Sequence, residues 1–184
     1  NPNNPTGTFW NIGRLKAFLD AVGNEIIVVV DEAYAEFVSD DTFPNGLDLV
    51  EDYDNLVVFR TFSKMYGLAG LRIGYLCAQE AMVDAIRKTC VVYSVNSLAQ
   101  IAALSSLDSE DHIQHTRALV GQAKSYLKAQ FDRLSLSHVS GEGNFMMVKL
   151  PINDTLAYRK LMSRGLMVRT MSGFRFPGYI RVTL

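Results

Sequence analysis

Leu56-Val57-Val58-Phe59-Arg60-Thr61-Phe62-Ser63-Lys64-Met65-Tyr66-Gly67-Leu68-Ala69-Gly70-Leu71-Arg72 is the stretch that decides the fold. Its first four residues form a continuous apolar run, the pattern of a strand buried on both faces in a parallel sheet. The run breaks at Arg60-Thr61 into a loop carrying hydroxyls, an amine, glycines and a guanidinium. Upstream, residues 26–30 (Ile-Ile-Val-Val-Val) form a second β-branched run of the same kind, ending in Asp31-Glu32-Ala33-Tyr34. Open α/β sheets bind ligands beyond the carboxyl ends of their strands, and both polar clusters fall there.

Outward from these strands the periodicity predicts helix over residues 11–22, with Gly23 as its stop, a third strand over 73–77, and a helix marked by Met82, Val83 and Ile86. Helices are expected over 96–107 and 111–134, the latter with Ile113, Val120, Ala123, Leu127, Phe131 and Leu134 in one stripe. A strand over 145–150 ends at Pro151. A helix over 155–164 is predicted to turn Leu156, Leu161 and Met162 inward, and strands follow over 166–169 and 179–183. The expected class is α/β, with a mainly parallel sheet over residues 1–110 and a smaller α+β unit over 111–184.

A net charge of −1 provides no basic field for nucleic acid or an anionic membrane surface. No apolar run reaches the length of a membrane span. Two cysteines, Cys77 and Cys90, cannot build a disulfide framework or metal cluster, and both are read as reduced core residues. His112, His115 and His138 lack ligand-like spacing and are read as surface or interface residues. Glu32 and Glu36 are read as solvated or structural. Gly67, Gly70 and Gly74 are expected to allow close backbone approach.

Singly, these residues have ordinary readings. Asp31 could cap a helix, Lys64 could be solvated, Asn4 could cap a turn, Tyr34 could pack, and Arg72 and Arg169 could be surface residues. Together they follow an order. Asn1-Pro2-Asn3-Asn4-Pro5-Thr6-Gly7, then Asp31-Glu32-Ala33-Tyr34, then Ser63-Lys64 with Gly67-Leu68-Ala69-Gly70-Leu71-Arg72-Ile73-Gly74, resembles the fold-type I aminotransferases of classes I and II over essentially the whole chain. Arg60-Thr61-Phe62-Ser63-Lys64, Asn96-Ser97-Leu98-Ala99-Gln100 and the pair Arg169 and Arg181 are most similar to the histidinol-phosphate branch.

That resemblance implies pyridoxal 5′-phosphate as cofactor and Lys64 as the residue that binds it covalently, since a primary amine condenses with an aldehyde. Asp31 matches the carboxylate that keeps the pyridine nitrogen protonated, which makes the ring an electron sink. Asn4 and Tyr34 match the donors to the ring's 3′-oxygen. Thr61, Ser63 and Arg72 match the phosphate anchor, hydroxyls and a guanidinium fork suiting a dianion. Arg181, aided by Arg169 and Asn4, matches the substrate grip. The implied reaction is amino transfer from histidinol phosphate to 2-oxoglutarate in histidine biosynthesis, by a cytoplasmic homodimer acting on small molecules.

The chain opens at Asn1 and stops on a strand, and is read as a fragment that alone has little or no turnover. Rival implications of the same motifs are an aromatic aminotransferase, a threonine-phosphate decarboxylase, or a non-catalytic pyridoxal-phosphate-binding effector domain of a transcription regulator. A nucleotide-binding α/β domain is disfavoured, because no phosphate-binding glycine fingerprint follows a strand.

Overall fold

Helix α1 (Ile12–Val22) begins where the Asn11 side chain accepts a hydrogen bond from the Arg14 N–H, and it stops at Gly23, whose φ of 69° suits a residue without Cβ. Its inward face, Leu15 and Leu19, packs on alternate residues of two strands: Val28 and Val30 of β1 (Val28–Asp31), and Leu56 and Val58 of β2 (Leu56–Thr61). Leu49 closes the cluster. Each fully buried aliphatic side chain here contributes about 1.5–3 kcal/mol.

The computed structural model describes residues 1–184, which divide into two units. The first comprises Asn1–Pro2 and Phe9–Gln114; the second comprises Asn3–Thr8 and His115–Leu184. The change of unit falls inside the long helix α4 (Glu110–Arg133). Helices α2 (Glu80–Arg87) and α3 (Ser97–Leu107) belong to the first unit. No helix is long and apolar enough to cross a membrane.

Strands β1 and β2 pair in parallel, with Val28 opposite Leu56 and Asp31 opposite Phe59. Two expectations are corrected. First, within these 184 residues β1 is covered on one face only: Val28 and Val30 are buried, but Val29 is 52% exposed and Ile26 and Ile27 are exposed too. A run of β-branched residues reports strand propensity, while α1 covers only the Val28 and Val30 side. Second, β3 (Gly74–Cys77) pairs antiparallel to β2, not parallel. The residues between them contain only one turn of 3-10 helix, Ala69–Leu71, too little for a helical crossover. The sheet order is β1-β2-β3.

The second unit is a four-stranded antiparallel sheet, ordered β4 (His138–Val139), β5 (Phe145–Lys149), β7 (Tyr179–Thr183), β6 (Arg169–Thr170). Residues Phe145, Met146, Met147 and Val148 are all buried, so β5 is covered on both faces. Strand β4 was not anticipated, and β6 is shorter than the periodicity suggested. Helix α5 (Asp154–Met162) turns Asp154 and Ala157 inward with Leu161 half-buried beside them, while Leu156 and Met162, expected inward, are about half exposed. The N-terminal segment crosses this unit closely. Glu142 N donates to Gly7 O at 2.7 Å, and a Cβ on Gly141 would stand 2.5 Å from the Gly7 carbonyl carbon.

Candidate active site

The loop after β2 displays its polar residues by burying the apolar ones between them. Phe62 and Met65 are 5% and 1% exposed, and they leave Ser63 and Lys64 facing outward. Phe62 stacks obliquely on Tyr66 and Tyr75, with ring centroids 5.1 and 5.7 Å away. Backbone bonds fasten the loop internally, from Leu68 N to Phe62 O at 2.9 Å and from Gly67 N to Lys64 O at 3.1 Å. Gly67 takes a φ of 70°, which an L side chain rarely adopts. Ser63 N donates to Thr61 Oγ1 at 3.1 Å, curling the backbone over the strand end. Arg72 itself sits in the left-handed region at φ 56°, with its guanidinium donating to Ala69 O at 2.9 Å. The close approach at Gly74 is to β2: a Cβ there would lie 2.7 Å from the Arg60 carbonyl oxygen.

At the neighbouring strand end, Asp31 accepts from Ala33 N at 3.0 Å, which turns the chain away from the sheet. Tyr34 is buried, and Lys64 Nζ lies 5.6 Å from its ring centroid. A cavity of about 680 Å³ opens between the two strand ends. Asp31, Thr61, Ser63, Lys64 and Arg72 all line it, together with Tyr75. Arg60 lines it too, so one carboxylate, one amine, two aliphatic hydroxyls, one phenol and two arginines share a single hollow.

Arg169 and Arg181 lie in the second unit, directly opposite each other across the β6–β7 pair. Like charges so placed are destabilising, so this pair costs stability unless an anion sits between the guanidinium groups. Arg181 donates to Asn4 Oδ1, and its guanidinium lies 5.0 Å from the Phe145 ring centroid. Its Nε is buried without a hydrogen-bond partner. Arg169 is exposed, 6.0 Å from the centre of the Phe174 ring.

Sequence reasoning missed a buried ion cluster beside the cavity. Glu32, expected to be solvated or structural, is fully buried and paired with Arg60 at 2.6 Å, and Arg60 also reaches Glu36 at 3.1 Å. Burial pushes the Glu32 carboxyl above its ordinary range, and the Arg60 charge only partly offsets this. Burial works against the Arg60 charge, but Glu32 and Glu36 outweigh it and the net shift is upward. The register that aligns Asp31 with Phe59 also brings Glu32 level with Arg60, a pairing that the sequence alone does not state. Other readings change as well. Cys90 is exposed and Cys77 only half-buried, so neither is a core residue. His112 is exposed, in keeping with its surface reading, and also bonds to Met65 O at 3.0 Å, against the loop carrying Lys64.

The chain has relatives throughout its length. The sequence pattern of the family "Aminotransferase class I and II" matches residues 1–184. The histidinol-phosphate aminotransferase of Caldicellulosiruptor saccharolyticus is 39% identical over 183 residues, covering 100% of this chain and 51% of its own length. Histidinol-phosphate aminotransferase 2 of Carboxydothermus hydrogenoformans is 42% identical over 185 residues, covering 100% and 51%. Among solved structures, histidinol-phosphate aminotransferase from Sinorhizobium meliloti, in complex with pyridoxal-5′-phosphate, superposes with a TM-score of 0.88 at 28% identity, covering 100% of this chain and 51% of that one. The chain thus spans about half the length of the curated relatives it matches. With a match from its first residue to its last, the chain belongs to the class I and II aminotransferase family.

Proposed function

We propose that this chain supplies the lysine, the acid and much of the phosphate site of a pyridoxal 5′-phosphate-dependent aminotransferase, and that the whole protein moves the amino group of histidinol phosphate to 2-oxoglutarate. The observation that carries the reading is the single cavity lined by Asp31, Thr61, Ser63, Lys64 and Arg72. Its volume lies within the roughly 300–1,000 Å³ of small-molecule sites. Its donor set fits the cofactor part by part: an amine for the aldehyde, a carboxylate for the pyridine nitrogen, and hydroxyls with a guanidinium for the phosphate dianion. When bound, the cofactor supplies an electron sink for the pair left when a substrate C–H bond breaks.

The chain's residues do the rest. Lys64 would hold the cofactor covalently, and its amine, when free, would carry a proton to and from the substrate α-carbon. Asp31 would keep the pyridine nitrogen protonated, and Tyr34 would donate to the 3′-oxygen. In the second unit, Arg181 and Arg169 are assigned to the phosphate of the amine donor and the carboxylate of the oxo-acid acceptor. Asn4 orients the Arg181 guanidinium through their hydrogen bond. Two arginines facing each other across a β-pair suit either anion with bidentate geometry. Residues 1–110 are assigned to the later part of a cofactor-binding large domain and 111–184 to a smaller one, in a cytoplasmic homodimer.

Two experiments test this. Incubating the 184-residue chain with pyridoxal phosphate, reducing with borohydride and mapping peptides is expected to place the label on Lys64 alone. Labels spread over several lysines, or none at Lys64, would sink the cofactor assignment. A donor screen on the whole protein with 2-oxoglutarate is expected to favour histidinol phosphate over aromatic amino acids by at least about 10-fold in kcat/KM, a difference of about 1.4 kcal/mol. Faster turnover of an aromatic amino acid, or carbon dioxide release from threonine phosphate, would overturn the substrate assignment.

A further inference from the structure

Backbone pairing between β1 and β2 stops at Asp31 and Phe59, with a last bond from Glu32 N to Phe59 O at 2.9 Å. Beyond that point β2 continues through Arg60 and Thr61, paired only with β3, while the chain leaving β1 turns away through the 3-10 turn Ala35–Phe37. The two strand ends that carry Asp31 and Thr61 are then joined by side chains. Arg60 Nε donates to Glu32 Oε2 at 2.8 Å, one terminal nitrogen donates to Glu36 Oε1 at 3.1 Å, and the other lies 2.6 Å from Glu32 Oε2 and donates to Asn45 Oδ1 at 2.9 Å. The second Glu32 oxygen accepts from Gly46 N at 2.8 Å. Every nitrogen of the guanidinium has an oxygen partner, and the Arg60 side chain is only 11% exposed.

A buried ion cluster is a weak device for stability, because desolvation consumes most of the Coulombic gain and apolar replacements often do as well. Its capacity is directional: a planar fork held on several sides has one orientation. Successive strand side chains alternate between faces, so Arg60 shares the face of Leu56 and Val58 and Thr61 takes the opposite one. Arg60 nevertheless also lines the cavity, with its guanidinium tied to Glu32, Glu36 and Asn45. Glu32 and Asp31 alternate likewise.

We propose that Arg60 is a positioning residue for cofactor binding: gripped by Glu32 and Glu36, it fixes the strand end bearing the phosphate hydroxyls relative to the strand end bearing Asp31. This rests on the cofactor assignment above. In this role Arg60 acts through Thr61 and Ser63, because its guanidinium nitrogens are already engaged by Glu32, Glu36 and Asn45. A lysine at 60 keeps the charge but not the fork, so it leaves the Thr61 end less well defined while Asp31 and Lys64 remain.

The test compares pyridoxal phosphate with pyridoxal, which lacks the phosphate, in absorbance titrations of the 184-residue chain and its Arg60→Lys variant. The expected result is an approximately 10-fold weaker binding of pyridoxal phosphate, equivalent to about 1.4 kcal/mol, with pyridoxal changed by less than about twofold. The preference for the phosphate ester should shrink while the label after borohydride stays on Lys64. An unchanged preference in a folded Arg60→Lys chain overturns the proposal. So does an equal loss for both ligands accompanied by a lower melting temperature, which marks a purely structural role. Should Arg60→Lys fail to fold, Glu36→Gln decides: it keeps the shape and an acceptor at the edge of the cluster, and an unchanged preference there overturns the proposal equally. A wild-type chain that takes no label at Lys64 defeats the cofactor assignment itself, an outcome distinct from all of these.

Discussion

Replacing Lys64 by alanine in the whole protein is expected to lower amino-transfer turnover by roughly 10⁴-fold or more, with the melting temperature of the cofactor-free protein unchanged. The size of the loss follows from two functions vested in one nitrogen. On the proposed reading it is the covalent tether and also the only amine lining the cavity that could take a proton from the substrate carbon and return it; positioned acid–base groups alone are worth about 10²–10⁴-fold. The absence of a stability cost follows from exposure. Lys64 is held out by the buried Phe62 and Met65 on either side, and its removal empties no core space. Lys64→Arg sharpens the test. Arginine keeps a positive charge facing Asp31 and Tyr34 but stays protonated at any working pH, so it can neither condense with an aldehyde nor act as a base. Both variants should be equally inactive if the amine matters, whereas an active Lys64→Arg would mean that charge alone suffices. A Lys64→Ala enzyme within tenfold of wild type would remove Lys64 from the chemistry altogether.

What could be read in advance divides along a physical line. The helices announced themselves because their boundaries are local: Asn11 and Asn96 cap α1 and α3 with side-chain oxygens, and Gly23 ends α1. Strand β2 and the residues around Lys64 were legible because an apolar run ending in a polar, glycine-bearing loop has few other uses. Partnership was not legible. Whether β3 returns parallel or antiparallel depends on the path of its connection, and whether Val29 is covered depends on which elements flank it. Helix α5 shows the same limit. Its apolar residues Leu156, Leu161 and Met162 suggested one face, while the unit buries Asp154 and Ala157, with only Leu161 partly covered. Glu32 and Arg60 escaped notice for that reason too: a charge is read as solvated until the strand register supplies its partner. Polar residues whose partners are distant in sequence are where a one-dimensional reading loses information.

Asp154 is the strongest case, and replacing it by alanine is expected to destabilise the chain by about 3 kcal/mol. The residue is fully buried, yet it opens α5 just after the Asn153 cap. One of its oxygens accepts from Met171 N at 3.1 Å and Ser172 N at 2.9 Å; the other accepts from Ser172 Oγ at 2.6 Å and Gly178 N at 3.4 Å. These donors belong to the connection between β6 and β7, the strands that carry Arg169 and Arg181. Alanine would remove the acceptor shared by Ser172 N, Ser172 Oγ and Gly178 N, while Met171 N keeps Tyr179 O, and hydrogen bonds to a charged group are worth more than neutral ones. For a chain of this length, 3 kcal/mol corresponds to a melting temperature lower by roughly 10 °C. The pH dependence gives an independent check. The Ser172 hydroxyl, with the backbone N–H groups of Ser172 and Gly178, holds the Asp154 carboxyl down at about 2, below its usual 3.8. A carboxyl depressed by folding stabilises above its unfolded pKa, and that contribution fades as pH falls towards the folded value. The gap in stability between wild type and Asp154→Ala should therefore be full at pH 7 and should narrow steadily between about pH 4 and pH 2. Denaturant melts of both chains at several pH values measure it directly. A gap that stays constant down to pH 2 would mean that Asp154 acts through packing and not through its charge, and the electrostatic account of the β6–β7 connection would have to be given up.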